Sequence, residues 1–214
     1  MEQLRQALSA GLDDLGVPTD SGALDRWVKL ALLLDRWSQR INLTGHRSPL
    51  EIARRLLLEA AALCQVLPEA ESIADLGSGA GIPGLPIAIC RPRCQVRLVE
   101  SRERRHHFQR AAVRELGLDN AVPLLGRAEA IEIHPSAGVI AQAMAQPERA
   151  LRWMIPWAAP GGWIAVATSP AAADRLHHPD LVQEQVLRYS APLGPERAAW
   201  IARRPTRGAA PVSV

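Results

Sequence analysis

The residues best suited to chemistry stand between positions 73 and 89, where the chain reads IADLGSGAGIPGLPIAI. Gly77, Gly79 and Gly81 remove side chains at alternate positions, directly after an apolar run that is typical of a buried strand. Glycine lets the backbone turn sharply and approach a ligand closely, and the amides at the start of the next helix point at that ligand. The pattern therefore predicts a ligand site built largely from backbone.

An acidic residue stands at a suitable distance from this glycine loop. Glu100 ends the run QVRLVE, which reads as the second strand of the same sheet. In an open α/β sheet the ligand lies beyond the carboxyl ends of the strands. A carboxylate at that edge can accept hydrogen bonds from both hydroxyls of a ribose, so the loop and the acid together predict a ligand that contains a nucleoside.

The glycine spacing narrows the type of cofactor. G-x-G-x-G differs from the dinucleotide pattern G-x-G-x-x-G. DLGSGAG instead resembles the first motif of class I S-adenosylmethionine-dependent methyltransferases, and APGG at 159–162, before a later strand-like run, adds to that resemblance. The resemblance implies S-adenosylmethionine as cofactor and an α/β, Rossmann-like fold with a mostly parallel seven-stranded sheet.

The rest of the chain reads as the elements that would position this site. Residues 1–66 are helical in pattern, with apolar residues at spacings of three and four between Leu24 and Ile41, and Ser48 begins a further helix. From residue 72, short strand-like runs, such as 95–100 and 121–125, alternate with helical runs near 103–116, 147–158 and 170–177. This alternation predicts βαβ units and a parallel sheet. Two runs within 181–204 predict an antiparallel hairpin at the sheet edge.

The change of pattern divides the chain into three parts. We expect an N-terminal helical extension at 1–68, a class I methyltransferase domain at 69–204 and a frayed tail at 205–214. A length of 214 residues suits one domain with a modest appendage.

Composition excludes several classes of protein. A hydrophobic content of 48% argues against disorder, and no apolar run reaches the length of a membrane span. The first residues carry acids rather than the apolar centre of a signal peptide, so we expect a cytoplasmic protein. The three cysteines, Cys64, Cys90 and Cys94, form no Cys-x-x-Cys pair, which indicates buried reduced thiols. The net charge is +3, and arginine, the dominant base, suits phosphate.

A closer resemblance depends on four stretches taken in order. They are RWSQRINLTG (36–45), DLGSGAGIPGLPIAI, ESRERRHHF (100–108) and GRAEAI (126–131). Together they resemble the RsmG family, also called GidB, the bacterial methyltransferases of guanine N7 in 16S ribosomal RNA. Asn42-Leu43-Thr44 and the Pro-Gly-x-Pro end of the glycine loop are the most specific pieces. The family implies a class I methyltransferase fold with an N-terminal helical extension.

The loop, the acid and this resemblance together assign residues to the cofactor. They are Gly77, Gly79, Gly81, Ile82, Glu100, Ser101, Ala128, Glu129 and Gln142. Taken alone, Glu129 has the alternative of a solvated acid at a helix start, and Ser101 that of an ordinary loop serine.

The resemblance implies 16S ribosomal RNA, within the small ribosomal subunit, as the partner of a protein that we expect to be monomeric. Arginines in the helical extension and at the start of the helix after Glu100 would form an electrostatic path for phosphate. They are Arg36, Arg40, Arg47, Arg54, Arg55, Arg102, Arg104 and Arg105. The alternative for each arginine alone is a solvated surface charge.

The expected chemistry needs no general base. Guanine N7 carries a lone pair and no proton, so displacement at a sulfonium methyl group depends on alignment. The sequence has no Ser/His/Asp ordering and no metal-ligand spacing, and we assign no catalytic residue and expect no metal. His106-His107 and His177-His178 are adjacent pairs that we expect on the surface of helices.

The sequence departs from the family on the substrate side. Where the family usually has Ser-Arg-Ala after the fourth strand, this chain has Ala141–Ala143, with neutral Gln142 at the arginine position. Upstream, a usual histidine is absent and Glu59 replaces a shorter acid. Arg149 or Arg152 on the next helix are candidates to supply the missing charge. Two alternatives therefore remain: a diverged methyltransferase of another RNA or a small molecule, and a cofactor- or RNA-binding protein without turnover.

Overall fold

The first part of the chain is helical, as the sequence predicts. The computed structural model describes residues 1–144 and 146–206. The helices of the first part are α1 (Glu2–Asp14), α2 (Ser21–Ser38), α3 (Pro49–Ile52) and α4 (Leu58–Val66). Ser48 caps α3 by accepting a hydrogen bond from the amide of Glu51. The single helix expected from Pro49 onward is interrupted by a π-helical turn at Ala53–Leu57.

Strands and helices alternate through the rest of the chain. The strands are β1 (Ser72–Leu76), β2 (Gln95–Glu100), β3 (Ala121–Leu125), β4 (Ser136–Gln142), β5 (Ala158–Thr168), β6 (Val182–Tyr189) and β7 (Arg197–Arg203). The helices are α5 (Gly84–Cys90), α6 (Glu103–Leu116), α7 (Pro147–Met154) and α8 (Pro170–Ala173), with a 3₁₀ turn at Ile155–Trp157.

The seven strands form one sheet in the order β3-β2-β1-β4-β5-β7-β6. β1 to β5 are parallel to one another, whereas β7 runs antiparallel to both β5 and β6. The expected fold class and edge hairpin are therefore confirmed. Strand order reverses at β1 and β4, the point where an open α/β sheet leaves a crevice for a ligand.

Three boundaries differ from the sequence-based expectations. The APGG stretch, expected before the fifth strand, lies inside β5, where Gly161 has a positive φ. The helices expected at 147–158 and 170–177 end earlier, at Met154 and Ala173. Element ends depend on capping contacts that periodicity does not encode.

Apolar side chains form one cluster on each face of the sheet. The first cluster joins the N-terminal helices to α5, α6 and the face they cover, and the second joins α7 and α8 to the opposite face. Trp27 is fully buried, and Trp37 packs edge-on against Phe108 at 5.7 Å between ring centres, so both belong to the core as expected. The domain boundary at residue 68 stays a prediction.

Other expectations concern the cysteines, the chain end and membranes. Cys64 and Cys94 are buried free cysteines, as expected, whereas Cys90 is only half-buried, and their reduced state stays a prediction. Most of the tail predicted to fray, 207–214, lies outside the described residues. Within the part of the chain that the structure describes, no helix has the combined length and apolarity needed to cross a membrane.

Arg91 ties the end of α4 to the sheet. Its Nη2 donates to the carbonyls of Cys64 and Leu67, each at 2.7 Å, and its Nη1 donates to the carbonyl of Pro68 at 2.8 Å. A helix end leaves its last carbonyls without intrahelical partners, and a cation is favourable there. One guanidinium thus fixes where the chain leaves the N-terminal helices and enters β1.

Replacing Arg91 should therefore destabilise the whole fold. We expect Arg91→Met to lower the free energy of unfolding by about 2–3 kcal/mol, because three carbonyls lose a charged donor. Urea denaturation measures the change. The matched control is Arg93→Met, at an exposed neighbouring arginine, which should stay within about 0.5 kcal/mol of the parent. Equal losses in the two variants would contradict the role of Arg91.

Candidate functional site

The glycine loop after β1 adopts a backbone that only glycine takes readily. Gly77, Gly79 and Gly81 have φ of +67°, +56° and +71°. The loop turns back on the strand that precedes it, because the amide of Gly84 donates to Oδ2 of Asp75 at 2.8 Å. Glycine is therefore required at these positions by the backbone conformation of the loop itself, before any contact with a ligand is considered.

Glu100 holds the glycine loop against the end of β2. Its Oε2 accepts a hydrogen bond from the amide of Gly79 at 2.9 Å, and its Oε1 accepts one from the amide of Arg102 at 2.7 Å. The carboxylate is buried, at 4% exposure. Each oxygen keeps a second acceptor position, so the predicted ribose contact stays a prediction and would add to these bonds.

Gln109 of α6 is a second support of the loop that the sequence did not reveal. Its Nε2 donates to Oγ of Ser78 at 2.8 Å and to the carbonyl of Gly79 at 2.9 Å. The side chain is fully buried. A glutamine in the middle of a helix carries no spacing signal, because its partners lie about thirty residues earlier in the chain.

Asp75 lies beneath the loop at the end of β1. It is buried, and its Oδ1 has no hydrogen-bond partner among the described residues. Burial raises the pKa of Asp75 from its ordinary 3.8 to about 7; the Gly84 amide opposes this rise and the nearby Glu100 charge adds to it. The loop therefore rests on a carboxyl group whose charge changes near neutral pH.

A cavity of about 180 Å³, here called the Ala128 cavity, lies at the carboxyl edge beside the loop. It contains four of the residues predicted to bind the cofactor: Gly77, Ser101, Ala128 and Glu129. The other lining residues, which sequence reasoning missed, are Val99, Gly126, Arg127, Met144 and Trp153. Gly79, Gly81, Ile82 and Glu100 belong to the adjoining loop and strand end rather than to the lining.

A second cavity of about 270 Å³, here called the Gln142 cavity, lies at the same edge. Its lining comes from the ends of β4, β5 and β6, from the start of β7, from α4, and from α7 and the residues that precede it. The residues are Glu59, Ala141, Gln142, Ala143, Met144, Pro147, Ala150, Val166, Ala167, Thr168, Ser169, Tyr189 and Arg197. Gln142, predicted at the cofactor, thus lies in this cavity, and its cofactor contact stays a prediction.

Met144 lines both cavities. A Cβ built on Gly77 would lie 2.5 Å from Cγ of Met144, so the thioether side chain packs directly on the glycine loop. Methionine is flexible and adapts to different neighbours. The two cavities therefore share one adaptable side chain in their lining.

Three polar side chains of the Gln142 cavity form a hydrogen-bonded cluster. Nε2 of Gln142 donates to Oε1 of Glu59 at 3.2 Å, and Nε of Arg197 donates to Oε2 of Glu59 at 3.0 Å. Glu59 is the second residue after the π-helical turn, and the extra residue of such a turn shifts the angular position of every side chain after it. The carboxylate of α4 thereby meets β4 and β7.

The edge hairpin brings Arg197 and Tyr189 to this cavity. Arg197 begins β7 opposite Tyr189, which ends β6, and the next residue, Ala198, pairs with Thr168 at the end of β5. An antiparallel strand starts where its neighbour ends, so both side chains stand at the carboxyl edge. Burial, and then the Glu59 carboxylate, raise the pKa of Tyr189 above its ordinary value, which keeps the phenol protonated.

Arg197 is the arginine that lines this cavity among the described residues, whereas Arg149 and Arg152 are not in the lining, and their role in place of the family arginine stays a prediction. Arg149 and Arg152 are exposed on α7, and the guanidinium of Arg149 lies 5.1 Å from the ring centre of Trp153. The sequence predicted the hairpin that contains Arg197. The register of β7 against β5 determines which residue of that hairpin lies at the carboxyl edge.

The arginines predicted to bind RNA occupy different surroundings. Arg105 donates to the carbonyl of Asn42 at 3.4 Å and lies beside Gly79, so it joins the helical extension to the loop. Arg36 is paired with Glu115 of α6. The exposed ones are Arg36, Arg40, Arg47, Arg54, Arg55, Arg102 and Arg104. RNA contacts of this set stay predictions.

Arg54 and Arg55 lie apart from both cavities described above. They line a separate groove of about 650 Å³, together with residues of α1 and the turn between β6 and β7. Two expectations on helix surfaces are wrong: His106 is buried, and burial lowers its pKa, while His177 and His178 lie beyond the end of α8 and not on a helix. Among the described residues, no group of three or more His, Cys, Asp or Glu side chains could hold a metal ion.

The sheet order, the glycine loop after β1 and the acid at the end of β2 define a class I methyltransferase fold. A putative O-methyltransferase from Klebsiella pneumoniae is similar, with a TM-score of 0.57 and 15% identity over 89% of this chain and 92% of that one. An O-methyltransferase from Bacillus cereus, solved with S-adenosylhomocysteine, has a TM-score of 0.57 and 14% identity over 90% and 95%. Such low identities show the fold alone.

Sequence comparison identifies the family within this class. The sequence model of GidB, the rRNA small subunit methyltransferase G, matches residues 24–186. Relatives with the name ribosomal RNA small subunit methyltransferase G include one from Chromohalobacter salexigens, 34% identical over 80% of this chain and 83% of the relative. Another, from Neisseria meningitidis serogroup C, is 31% identical over 94% and 98%. The chain belongs to the rRNA small subunit methyltransferase G family.

The buried carboxyl of Asp75 should make stability depend on pH. Because its folded pKa of about 7 exceeds the ordinary 3.8, the folded state binds the proton more tightly, and its stability falls as pH rises from about 4 to 7. Asp75→Asn keeps an acceptor for the Gly84 amide and removes the titration. We expect the free energy of unfolding of Asp75→Asn, measured relative to that of the parent, to increase by a few kcal/mol between pH 4 and pH 7.

Urea denaturation of both proteins at several pH values measures that difference. Comparing the two proteins cancels the titration of every other group. A difference that stays constant between pH 4 and pH 7, or that shrinks as pH rises, would show that the pKa of Asp75 is not raised in the folded protein.

Proposed function

We propose that this protein transfers a methyl group from S-adenosylmethionine to N7 of a guanine in the 16S RNA of the small ribosomal subunit. The observation that carries the proposal is the meeting of the Ala128 cavity and the Gln142 cavity at Met144, at the edge where strand order reverses. A transferase needs two adjoining sites, and family membership supports ribosomal RNA as the acceptor.

The residues of the first site fit a nucleoside cofactor that carries an amino-acid tail. The space in front of Gly79 is open, since a Cβ there would meet nothing nearer than Nη1 of Arg105 at 3.5 Å. The Ala128 cavity, with Ser101 and Glu129, offers room for the base and ribose, and the loop backbone would lie against the tail. When bound, S-adenosylmethionine supplies an electrophilic methyl group.

The polar groups of the second site suit a nucleophile that has no proton to lose. Glu59 is the one acid that lines the Gln142 cavity among the described residues, and both its oxygens accept hydrogen bonds. Tyr189 remains protonated. In the proposed reaction neither group serves as a general base. Guanine N7 needs none, whereas methylation of a hydroxyl or a protonated nitrogen does.

The surface around the site supports RNA as the substrate. Exposed Arg102 and Arg104 start α6 directly after Ser101 of the Ala128 cavity, and Arg105 bridges the loop and Asn42. Such arginines can neutralise phosphates and hold RNA in register. The proposed substrate is part of the ribosome, which supports the cytoplasmic location expected from the sequence.

Methyl transfer to ribosomal particles tests this function. Purified protein, labelled S-adenosylmethionine and 30S particles from a strain that lacks the endogenous enzyme should yield 7-methylguanosine in 16S RNA. Nuclease digestion and mass spectrometry identify the product nucleoside. Methylation of another nucleoside or of a small molecule would favour the diverged enzyme. Binding of S-adenosylhomocysteine without any turnover would favour a binding protein.

A pair of glycine variants tests the cofactor site. Gly79 and Gly117 both have a positive φ, +56° and +61°, and both have room for a methyl group. Gly117, however, lies at the C-terminal end of α6, away from the glycine loop. Alanine should therefore strain the two backbones about equally, by about 1–2 kcal/mol. We expect Gly79→Ala to weaken S-adenosylhomocysteine binding about tenfold, equal to about 1.4 kcal/mol.

Isothermal titration calorimetry measures the affinity, and thermal denaturation confirms equal strain. Gly117→Ala is the control and should bind the ligand as the parent does. If the affinities of the two variants are equal, the loop does not contact the cofactor and this site assignment is wrong.

A further inference from the structure

We infer that Arg197 is a substrate-binding residue, whose guanidinium donates to an oxygen of the target guanosine in the Gln142 cavity. The inference rests on the proposed function and deepens it, because it names the side chain that positions the base. The oxygen is either the O6 carbonyl of guanine or a phosphate of the same nucleotide. Both are acceptors that arginine recognises.

The hydrogen bonding of Arg197 leaves donors available in the cavity. Its Nε is bound to Oε2 of Glu59, while Nη1 and Nη2 make no hydrogen bond to any described residue. Arginine has five N–H donors in a planar fork, so this contact uses one of them. The side chain of Arg197 is 41% exposed and that of Glu59 only 13%, which leaves the fork, rather than the carboxylate, open to a ligand.

Glu59 has the role of a positioning residue in this cluster. Its carboxylate binds Arg197 with one oxygen and Gln142 with the other, so the guanidinium is held at a fixed place at the carboxyl edge. A charge pair that is pre-oriented loses less entropy when it binds a ligand. The pair also leaves the cavity without net charge, which suits a purine that becomes positive during methylation.

The position of Gln142 provides a direct test of this geometry. Gln142 and Arg197 approach the same carboxylate from different strands, β4 and β7, through its two oxygens. An arginine at position 142 would therefore also be held by Glu59 beside the same cavity. Exchanging the two residues moves the cation from one side of the carboxylate to the other and keeps the total charge.

The test measures kcat/KM for methyl transfer to 30S particles and the affinity for S-adenosylhomocysteine in each variant. Arg197→Gln should lower kcat/KM about tenfold or more and leave the affinity unchanged. Arg197→Lys, which keeps a charge for Glu59 but lacks the fork, should fold normally and lose part of the rate. Combining Arg197→Gln with Gln142→Arg should recover most of it.

Arg188→Gln is the matched control. Arg188 is an exposed arginine of the same hairpin, paired with Asp174 and Glu196 outside the cavity, and we expect its replacement to leave kcat/KM unchanged.

The salt dependence of kcat/KM distinguishes the two possible acceptors of Arg197, phosphate and guanine O6. If Arg197 binds phosphate, its loss lowers the slope of log kcat/KM against log salt by about one. If Arg197 binds O6, the slope is unchanged.

Three results would overturn the inference: an Arg197→Gln protein as fast as the parent, a parallel loss of S-adenosylhomocysteine affinity, or a double variant as slow as the single one. Measurements on the parent protein distinguish a failure of this inference from a failure of the proposed function. A parent that methylates no guanine of 16S RNA contradicts the proposed function itself, whereas the ratio of variant to parent rates decides the role of Arg197.

Discussion

The carboxylate of Glu100 is the contact on which the architecture of the site depends. It binds the amide of Gly79 with one oxygen and the amide of Arg102 with the other, and thereby joins the loops that follow β1 and β2. Hydrogen bonds to a buried charged group are strong and leave little freedom to their donors. Because the glycine loop has few side chains of its own to hold it, its shape is maintained by Glu100 from one side and by Gln109 from the other.

A second carboxylate has the corresponding role on the other side of Met144. Glu59 also binds two donors, but these belong to side chains, Gln142 and Arg197, rather than to the backbone. The glycine loop beside the Ala128 cavity is therefore held through main-chain amides, whereas the polar cluster of the Gln142 cavity is formed by side chains from three distant segments.

The sequence predicts elements whose signals are local. The strand at 95–100, the helix at 103–116 and the strand at 121–125 have the expected bounds, because each combines one periodicity with clear end signals. Ala128 and Glu129, which the resemblance assigns to the cofactor, line one cavity with Gly77, and their contact with a cofactor stays a prediction. Arg197 and Gln109 were missed, because their partners depend on strand register and helix packing across long stretches of chain. The hydrophobic periodicity of the segments that contain these two residues does not indicate those contacts.

Gln142 illustrates how a local difference can mislead when the fold is unknown. A neutral residue at the end of β4 suggests that the cavity has no cation, and hence that the enzyme is weakened. In the folded chain the cavity has a guanidinium, because β7 is antiparallel to β5 and begins at the same edge. Glu59 can hold a cation that comes from either strand, since its two oxygens face β4 and β7. The electrostatics of a site therefore depend on which side chains surround a carboxylate in space, and an arginine missing from one strand is a loss only where no other strand supplies it.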